Sequence, residues 1–519
     1  MCRRVKKAAR WTVLLTLVVM VVASGAGRPA GAAGTTLTYA LISTGTSKIP
    51  AFTTTGEDTE IMAQIYDSLL QADAKTWKIL PGLATAYTAN PDGKTWTFTL
   101  RKGVKWQGGY GEFTCADVAF TWDFNKDPAN HSFWRTTAEI VDSVTCPDPY
   151  TAVFHLTVPF QGFIWNVVDI EPSTGWVMSK AAWDKLGRAG YEKTPIGTGP
   201  YMLQSLSPGQ EVVLVRNPDY WGRKPAVDQL DFKVIADTQT AALAVKTGAV
   251  DIVGLNDPIV ATQYEHTPGV VVIAKQALRN DYLEINQTVK PFDNVKVRQA
   301  MRYAIDYKGL VSTVLRGFGV PGYAGLVMPG QTGYDKSVNP PNTYDVAKAR
   351  ELLKESGVPL PINGFFTTYN DTPDINAAQF LAANFAAVGI QLQPRPLERG
   401  TLVQVRIQSA TPASVIGNAL SPDPDGFIAA FTGAQIPPAG LNISRYTGID
   451  QLYEMQRAEA GKAARAKILR DIQQKLAADC PVIEYYVQKE IFLTTSRVHN
   501  YEPFVLFGGD PLANVTLAP

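Results

Sequence analysis

The chain has 519 residues, of which 45% are hydrophobic and 18% are charged, and its 48 Lys and Arg nearly balance its 47 Asp and Glu. This composition is that of an ordinary globular protein, and without a basic excess it argues against nucleic acid, whose binding depends on clustered Lys and Arg. A chain this long exceeds what one hydrophobic core usually supports, so we expect two or more lobes.

The N-terminus has the layout of a secretory signal. Several Lys and Arg residues within the first ten positions precede an apolar run from Val13 to Ala23, which is shorter than the roughly 20 residues that a spanning helix needs. Ala30 and Ala32 form an A-x-A-like cleavage site, so we expect residues 1–32 to be a signal peptide. Its removal takes away six basic residues and no acidic one, which leaves 42 basic against 47 acidic residues.

The cysteines bear on location and on covalent structure. No cysteine lies between Val13 and Leu41, where a lipid anchor would be attached, so we expect an exported protein that is periplasmic or extracellular. Cys2 leaves with the signal peptide. Export permits a bridge among the remaining three; we expect Cys115 to pair with Cys146, because both fall in one compact stretch, and three buried thiols that include Cys480 are the alternative.

The first half of the mature chain shows both strand and helix patterns. Alternation of apolar and polar residues predicts strands at Thr36–Leu41, Lys94–Leu100, Thr151–Val158, Val212–Val215 and Leu230–Ile235, and helical spacing predicts helices at Glu60–Leu70 and Thr238–Lys246. Thr114 is a predicted helix N-cap with Asp117 at the third helical position, as in a capping box. Residues 72–195 are therefore expected to form a small α+β unit.

After about Leu278 the pattern becomes that of alternating helices and strands. Amphipathic helices are predicted at Val297–Leu315, Asp345–Ser356 and Ile375–Val388, and a long, well-charged helix at Gln451–Ala477. Strands are predicted at Gln391–Gln393 and within Val482–Val505. This pattern predicts a second lobe of α/β character.

The sequence lacks recognisable reaction chemistry. Its four histidines, at positions 131, 155, 266 and 499, are far apart, and none pairs with a Cys or another His at metal-ligand spacing. No G-x-S-x-G or H-E-x-x-H segment occurs. We therefore expect neither a metal nor another cofactor, and a binding protein rather than an enzyme.

Two segments resemble ligand motifs without meeting their requirements. Gly317–Gly322 matches the dinucleotide fingerprint but follows a predicted helix and contains Pro321, so it is interpreted as a helix-ending glycine and a loop. Asp423–Gly426 lacks the closing Glu of a calcium loop and is interpreted as a turn.

A series of segments in a fixed order indicates a family. They are Tyr66–Leu70, Leu80–Ala84, Trp96–Trp106, Pro195–Tyr201, Asn217–Gly222 and Val297–Asp306. From about Leu37 to Pro503 the chain resembles the family 5 extracellular solute-binding proteins, which bind dipeptides, oligopeptides or nickel complexes for ABC transporters.

The resemblance implies a bilobal α/β fold of the periplasmic-binding-protein type II, a hinged clamp with an extra α+β subdomain. Lobe I is then formed by residues 33–71, 196–278 and 487–519, the inserted subdomain by 72–195, and lobe II by 279–486. A peptide or peptide-like solute is enclosed between the lobes and passed to the membrane permease and ATPase subunits, and a monomer is expected.

The resemblance also places candidate ligand-binding residues in lobe II. In many peptide-binding members an aspartate grips the peptide's α-amino group at the position where this chain has Leu420, after Gly417 and Asn418. Leucine cannot accept a charge-assisted hydrogen bond. Either Asp423 or Asp425 therefore substitutes, or the ligand has no free amine there.

Further candidates come from the same stretch and from the return to lobe I. Arg399 and Arg406 are placed to meet an anionic ligand group through a planar guanidinium, with a solvated surface position as the alternative. Tyr485 is either an aromatic cleft wall or a core residue. Gly197 and Gly199 are expected to permit a tight turn.

The leading functional hypothesis is capture of a peptide-like solute for import. Alternatives are a binder of a metal chelate, an opine or a glycoside, a secreted accessory or enzymatic protein on the same scaffold, and a sensor or scavenger without a permease.

Overall fold

The computed structural model describes residues 35–169, 175–255, 257–408, 411–504 and 509–518. The predicted signal peptide lies outside these ranges. Within them, no helix combines the length and the apolar character that crossing a membrane requires.

The elements follow the chain in three groups. The first group has strands β1 (Thr36–Leu41), β2 (Leu70–Ala72), β3 (Ile79–Pro81), β4 (Ala84–Ala89), β5 (Thr95–Leu100), β6 (Val141–Asp148) and β7 (Thr151–Leu156), with helices α1 (Gly56–Ile65), α2 (Cys115–Lys126), α3 (Arg135–Ala138) and α4 (Lys180–Lys193). The second has β8 (Tyr201–Ser207), β9 (Glu211–Arg216), β10 (Gln229–Val234), β11 (Ile252–Leu255) and β12 (Val270–Gln276), with α5 (Thr238–Lys246) and α6 (Pro258–Thr262).

The third group begins with a strand and is richer in helices. Its strands are β13 (Arg279–Ile285), β14 (Gly319–Pro321), β15 (Ile362–Tyr369), β16 (Ile390–Leu397), β17 (Ala413–Ala419), β18 (Val482–Thr495), β19 (Val498–His499) and β20 (Thr516–Leu517). Its helices are α7 (Val295–Ala304), α8 (Tyr307–Val314), α9 (Val346–Ser356), α10 (Thr372–Ala386), α11 (Arg399–Ile407), α12 (Asp425–Ala429), α13 (Asp450–Ala458) and α14 (Lys462–Asp479).

The segment predicted as an α+β unit contains a four-stranded antiparallel sheet in the order β4-β5-β7-β6. The predicted capping box of α2 is confirmed, because the Asp117 side chain accepts a hydrogen bond from the backbone N–H of Thr114 at 3.0 Å. A disulfide joins Cys115 at the start of α2 to Cys146 on β6, with their Cα atoms 5.8 Å apart. Cys480 is a buried free thiol.

One long strand joins two halves of a mixed sheet. The first half of β18 pairs with β13 and β14, and the second half pairs with β11 and β12. The partner change falls between Gln488, opposite Gly319 of β14, and Lys489, opposite Gln276 of β12. A second crossing runs from the end of β12 to Arg279, where β13 begins. The fold is therefore a mixed α/β, bilobal one, with two chain crossings side by side.

Two predicted helices are each broken in the structure. The single helix predicted over Val297–Leu315 is wrong: Ile305 is extended, and Asp306 starts α8 by accepting a hydrogen bond from Gly309 N at 2.9 Å. The helix predicted over Gln451–Ala477 is interrupted at Glu459, which is also extended, before α14 begins. In both cases an acidic side chain caps local backbone, which apolar spacing does not reveal.

The glycines near residue 198 do not form the predicted tight turn. Neither Gly197 nor Gly199 has a positive φ. A Cβ at these positions would lie 1.8 Å and 2.6 Å, respectively, from the carbonyl oxygen of Ile65. These glycines therefore permit close approach of the chain to the end of α1, and Thr198 Oγ1 then donates to the buried Asp67 carboxylate at 2.8 Å.

The fingerprint-like segment is partly a strand rather than only a loop. Gly317 has φ +87°, as a helix-ending residue often does. The chain then forms β14, which pairs with β18, so that Val320 lies opposite Val487. The segment adds a strand beside the crossing instead of opening a nucleotide-binding helix.

Candidate functional site

Several strand ends meet at one edge of the sheet half that contains β13, β15, β16 and β17, beside the crossings. β15 and β16 are parallel, with Tyr369 opposite Leu397 at their carboxyl ends, and β15 also runs parallel to β17. Helices α10 and α11 begin just after these strands. β13 is antiparallel to β17 and therefore starts at the same edge. Ligands of open α/β sheets commonly bind at the carboxyl ends of the parallel strands, so this edge, the hinge edge, is the candidate site.

An ion pair lies at the centre of the hinge edge. Arg279 Nη2 is 3.2 Å from Asp281 Oδ1, and only 1% of the Asp281 side chain is exposed. Gly417 lies opposite Asp281 in the sheet, and a Cβ there would be 2.3 Å from Asp281 Oδ1 and 2.9 Å from Arg279 Nη2. The predicted site residue Gly417 therefore leaves the space that this ion pair occupies.

Burial governs the protonation of this pair and its neighbours. Burial raises the pKa of Asp281, and the charge of Arg279 opposes the rise. Asp371 is the N-cap of α10, and Asp374 occupies the third helical position. Burial, followed by the hydrogen bond to Asp371 and the charges of Asp371 and Asp281, raises the pKa of Asp374 to about 8. The hinge edge thus gathers carboxyl groups from a strand and from the start of a helix.

β18 contributes aromatic and acidic side chains to the same place. Tyr486 lies opposite Asp281, and its ring packs edge-on against Tyr485 with centroids 4.6 Å apart. Tyr485 is fully buried, and its hydroxyl has no hydrogen-bond partner among the described residues. Burial raises the pKa of Glu490, farther along β18, while Arg279 opposes this rise and Asp281 adds to it. Tyr485 therefore belongs to a hydrophobic core cluster and also adjoins the hinge edge.

Arg406 forms a buried ion pair with a carboxylate of β13. Its Nη2 is 2.6 Å from Glu284 Oε2, and both side chains are about 97% buried or more. Glu284 also accepts a hydrogen bond from Ser444 N at 3.0 Å, and it lies three residues beyond Asp281 on β13, or about 10 Å along the strand. The sequence allowed a cleft position or a solvated one, and the structure gives Arg406 a buried partner within lobe II.

The residues around position 420 are also engaged within the protein. Leu420 N donates to Leu278 O at 2.7 Å, and its side chain is buried in an apolar cluster. Asp423 accepts two hydrogen bonds from Arg465 of α14, at 2.6 and 2.8 Å. Asp425 accepts from the side-chain amide of Gln456 on α13. Both carboxylates that the sequence offered as substitutes for the missing aspartate are thus paired with helices of lobe II.

For two further candidates, the structure describes only the backbone position. Arg399 is the first residue of α11, directly after the N-cap Glu398. Asn418 pairs with Asn280 across β17 and β13. Both positions are on the hinge edge, and their side chains lie outside the described part of the structure.

A sequence comparison decides the family. The model of the bacterial extracellular solute-binding proteins, family 5 Middle, matches residues 78–437. The chain belongs to this family. Over 346 residues, it is 34% identical to the glutathione-binding protein GsiB of Escherichia coli (strain K12), a match that covers 66% of this chain and 65% of that relative.

Solved structures match the family 5 fold over nearly the whole chain. The structure of HbpA2 from Haemophilus parasuis has a TM-score of 0.84 at 24% identity and covers 93% of this chain and 100% of that one. The periplasmic binding protein DppA from Helicobacter pylori, in complex with the peptide STSA, has a TM-score of 0.75 at 27% identity and covers 93% and 98%. The bilobal fold implied by the motif resemblance is thereby confirmed.

Some family motifs lie around a cavity rather than at the hinge edge. Trp221 Nε1 donates to Asp67 Oδ2 at 2.7 Å, and both residues line a cavity of about 520 Å³ together with Asp169. Burial raises the pKa of Asp67 to about 6 and that of Asp169 to about 7. None of the ligand-binding residues predicted from the sequence lines this cavity.

Among the described residues, no group of three or more His, Cys, Asp or Glu side chains is arranged to hold a metal ion.

The hinge-edge residues that sequence reasoning missed are Arg279, Asp281, Asp371, Asp374 and Glu490. Asp371 and Asp374 were detectable as an N-cap and a first-turn acid before a helical pattern. Arg279, Asp281 and Glu490 are brought together by strand register, which local sequence does not reveal.

Proposed function

We propose that this family 5 protein is the exported substrate-binding component of an ABC importer, which captures a peptide or peptide-like solute between its lobes and delivers it to a membrane permease. The observation that carries the proposal is the charged hinge edge beside the two chain crossings. The 27% identical Helicobacter pylori protein, whose structure holds a peptide, supports the same class of ligand.

The geometry suits a ligand with many backbone groups. An extended peptide can satisfy its N–H and C=O groups on main-chain partners, which gives affinity without dependence on side-chain identity. Charged groups at the hinge edge would then fix its orientation. Because both crossings border this edge, closure of the lobes on a bound solute would change the shape presented to a permease.

The lobe boundaries and site residues form part of the proposal. Lobe I comprises 33–71, 196–278 and 487–519, the inserted subdomain 72–195, and lobe II 279–486; the crossings after Gln276 and at Gln488 support these limits. Of the residues predicted from the sequence, we retain Arg399, Gly417, Asn418 and Tyr485 at the site. The contacts of Arg406, Leu420 and Asp423 support roles in the fold instead.

A second candidate is a non-peptide solute, such as a metal chelate, an opine or a glycoside. The observation that favours it is the engagement of Asp423 and Asp425 with Arg465 and Gln456. Neither carboxylate is then available as a simple replacement for the amine-binding aspartate of many relatives.

Other parts of the proposal concern how the protein works in its compartment. We propose that it acts by binding alone, as a monomer, in the periplasm or outside the cell. The disulfide between Cys115 and Cys146 suits an oxidising compartment.

The first test is native mass spectrometry of the mature protein purified from its natural host, followed by denaturation to identify any released molecule. A co-purifying peptide or peptide-like molecule would support the proposal and identify its ligand. A released non-peptide solute would favour the second candidate. If the protein is empty, a thermal-shift screen with peptides of increasing length replaces the measurement, and no shift with any peptide would count against peptide capture.

A further inference from the structure

Three carboxyl groups of the hinge edge depend on one guanidinium among the described side chains. The carboxyl groups of Asp281, Asp374 and Glu490 come from β13, α10 and β18, respectively, and Arg279 is the cation that acts on all three. Burying an uncompensated charge is costly, so buried acids in excess of their cations require protons or a positively charged partner.

The acids at the start of α10 have a structural explanation. Asp371 Oδ1 accepts from Asp374 N as the helix N-cap, and an acidic residue in the first turn is favoured by the helix dipole. These two residues alone would therefore not indicate a ligand. The indication of a ligand comes instead from Asp281 on β13, because no helix begins there to account for a buried carboxylate.

Asp281 has an unused acceptor. Its Oδ1 meets Arg279, but its Oδ2 has no hydrogen-bond partner among the described residues, although the side chain is 99% buried. The hydroxyl of Tyr485, a fully buried residue electrostatically coupled to Asp281 and Asp374, is also unpartnered. Unpaired buried polar groups are rare in folded proteins because each loses its hydration without replacement.

The position of Asp281 suits a ligand contact. It lies two residues after Arg279, the first residue of β13 beyond the crossing, and its partner across the sheet, Gly417, has no side chain that could bond its carboxylate. Glu490 lies just beyond the other crossing, on the lobe I half of β18. A group held between them would contact chain segments belonging to both lobes.

We propose that the solute presents a cationic nitrogen, a primary ammonium or a guanidinium group, to Asp281 at the hinge edge, with Asp374 and Glu490 supplying the surrounding negative charge. This inference rests on the proposed solute capture and specifies one chemical group of the ligand. Asp281 on β13 would then bind the cationic group that, in many relatives, is bound by an aspartate at the position of Leu420. Charge-assisted hydrogen bonds of this kind are stronger than neutral ones and discriminate sharply against ligands that lack the donor.

The test begins with the identity of the bound solute. Native mass spectrometry of the wild-type protein from its host should release a molecule with a basic nitrogen. A basic non-peptide molecule would support this inference while contradicting peptide capture. A released solute without a basic nitrogen would overturn the inference and leave solute binding intact.

Calorimetry with a defined pair of probes provides the second arm. Tetra-alanine has a free ammonium group, and N-acetyl-tetra-alanine differs only in lacking it. We expect the first to bind and the acetylated one to bind roughly tenfold or more weaker, the range for a hydrogen bond to a charged group. Equal affinities would overturn the inference without affecting the proposed function. Failure of both probes, together with an empty protein from the host, would count against both proposals.

Variants locate the contact. Asp281→Asn should weaken whichever cationic ligand is found by tenfold or more, whereas Asp425→Asn, a substitution at another buried carboxylate with its own internal partners, should leave affinity unchanged. The reverse pattern would assign the amine to Asp425 and overturn the role of Asp281. If Asp281→Asn does not fold, the wild-type solute and the acetylated probe still decide the inference.

Discussion

Gly417 and Asp281 are in such close contact that no side chain fits between them, since a Cβ at position 417 would lie 2.3 Å from Asp281 Oδ1. The same Cβ would lie 2.9 Å from Arg279 Nη2. The backbone of β17 and the ion pair on β13 are therefore fitted to each other across the hinge edge. A side chain at position 417 would therefore have to displace this pair.

Gly417→Ala should displace the Arg279–Asp281 pair and reduce solute affinity. We expect destabilisation of about 1–3 kcal/mol from overpacking, together with at least a tenfold loss of affinity, measured by denaturant unfolding and calorimetry. Gly426→Ala is the matched control, because a Cβ there meets nothing within 4 Å. Normal affinity of Gly417→Ala would show that this edge does not bind the solute.

Asp423→Ala should affect stability rather than binding. Arg465 would then be left buried without its bidentate partner, and removing one member of a buried pair typically costs about 3–5 kcal/mol. Denaturant unfolding measures this loss, and calorimetry measures the affinity of the remaining folded protein.

Glu355→Ala is the control for this pair, because Glu355 and its partner Lys296 are both about 40% exposed and surface pairs contribute about 0–1 kcal/mol. If Asp423→Ala kept its stability but lost ligand affinity, Asp423 would be the replacement carboxylate that the sequence suggested. The contrast between the two variants therefore separates a fold role from a ligand role.

The sequence predicted much of the fold because local patterns and ordered motifs both pointed to it. The strand Thr36–Leu41 and the helix Thr238–Lys246 were predicted to the residue. The breaks at Ile305 and Glu459 were missed because an acidic side chain, not a change in apolar spacing, bonds the backbone at each break. A polar cap competes with helix continuation at a single residue. An apolar periodicity, which is judged over many residues, does not show that local effect.

The candidate site was less predictable because strand register assembles it. Gly417 was identified from the motif resemblance, but its neighbour Asp281 is 136 positions earlier in the chain and meets it only through the pairing of β13 with β17. Arg406 was selected as a candidate because of its charge. That charge is paired with Glu284, which lies on β13, the strand that also carries Asp281. Residue type suggested the chemistry, and only the fold shows which charges remain for a ligand.

Removal of the disulfide should destabilise the inserted segment. Cys115 and Cys146 enclose 31 positions of chain, for which the loop-entropy model gives about 3–4 kcal/mol. Reductant should therefore lower the melting temperature of the wild-type protein but not that of Cys115→Ser/Cys146→Ser. Cys480→Ala provides the control, since it should retain the response to reductant. A wild-type melting temperature that ignores reductant, with three titratable thiols in the mature unfolded chain, would contradict the bridge.

A buried acid cluster in lobe I should make stability depend on pH. Asp510 accepts hydrogen bonds from Tyr501, Tyr39 and Phe504 N, and Glu60 accepts from Asp510 N. Burial raises the pKa of Asp510 from its ordinary value of 3.8 to about 7, and that of Glu60 well above its ordinary value. Between pH 4 and pH 7 the folded protein therefore binds more protons at this site than the unfolded chain does.

Because the folded state holds the extra protons, the free energy of unfolding should fall as the pH rises from about 4 to about 7. The pKa of Asp374, raised to about 8, contributes with the same sign. Asp510→Asn removes one titrating group while keeping hydrogen-bonding atoms in place, so its free energy of unfolding should fall less steeply over this range. Denaturant unfolding at several pH values measures both slopes. Parallel slopes for the wild type and Asp510→Asn would mean that this carboxyl titrates alike in the folded and unfolded chains, and a steeper slope for the variant would reverse the sign argued here.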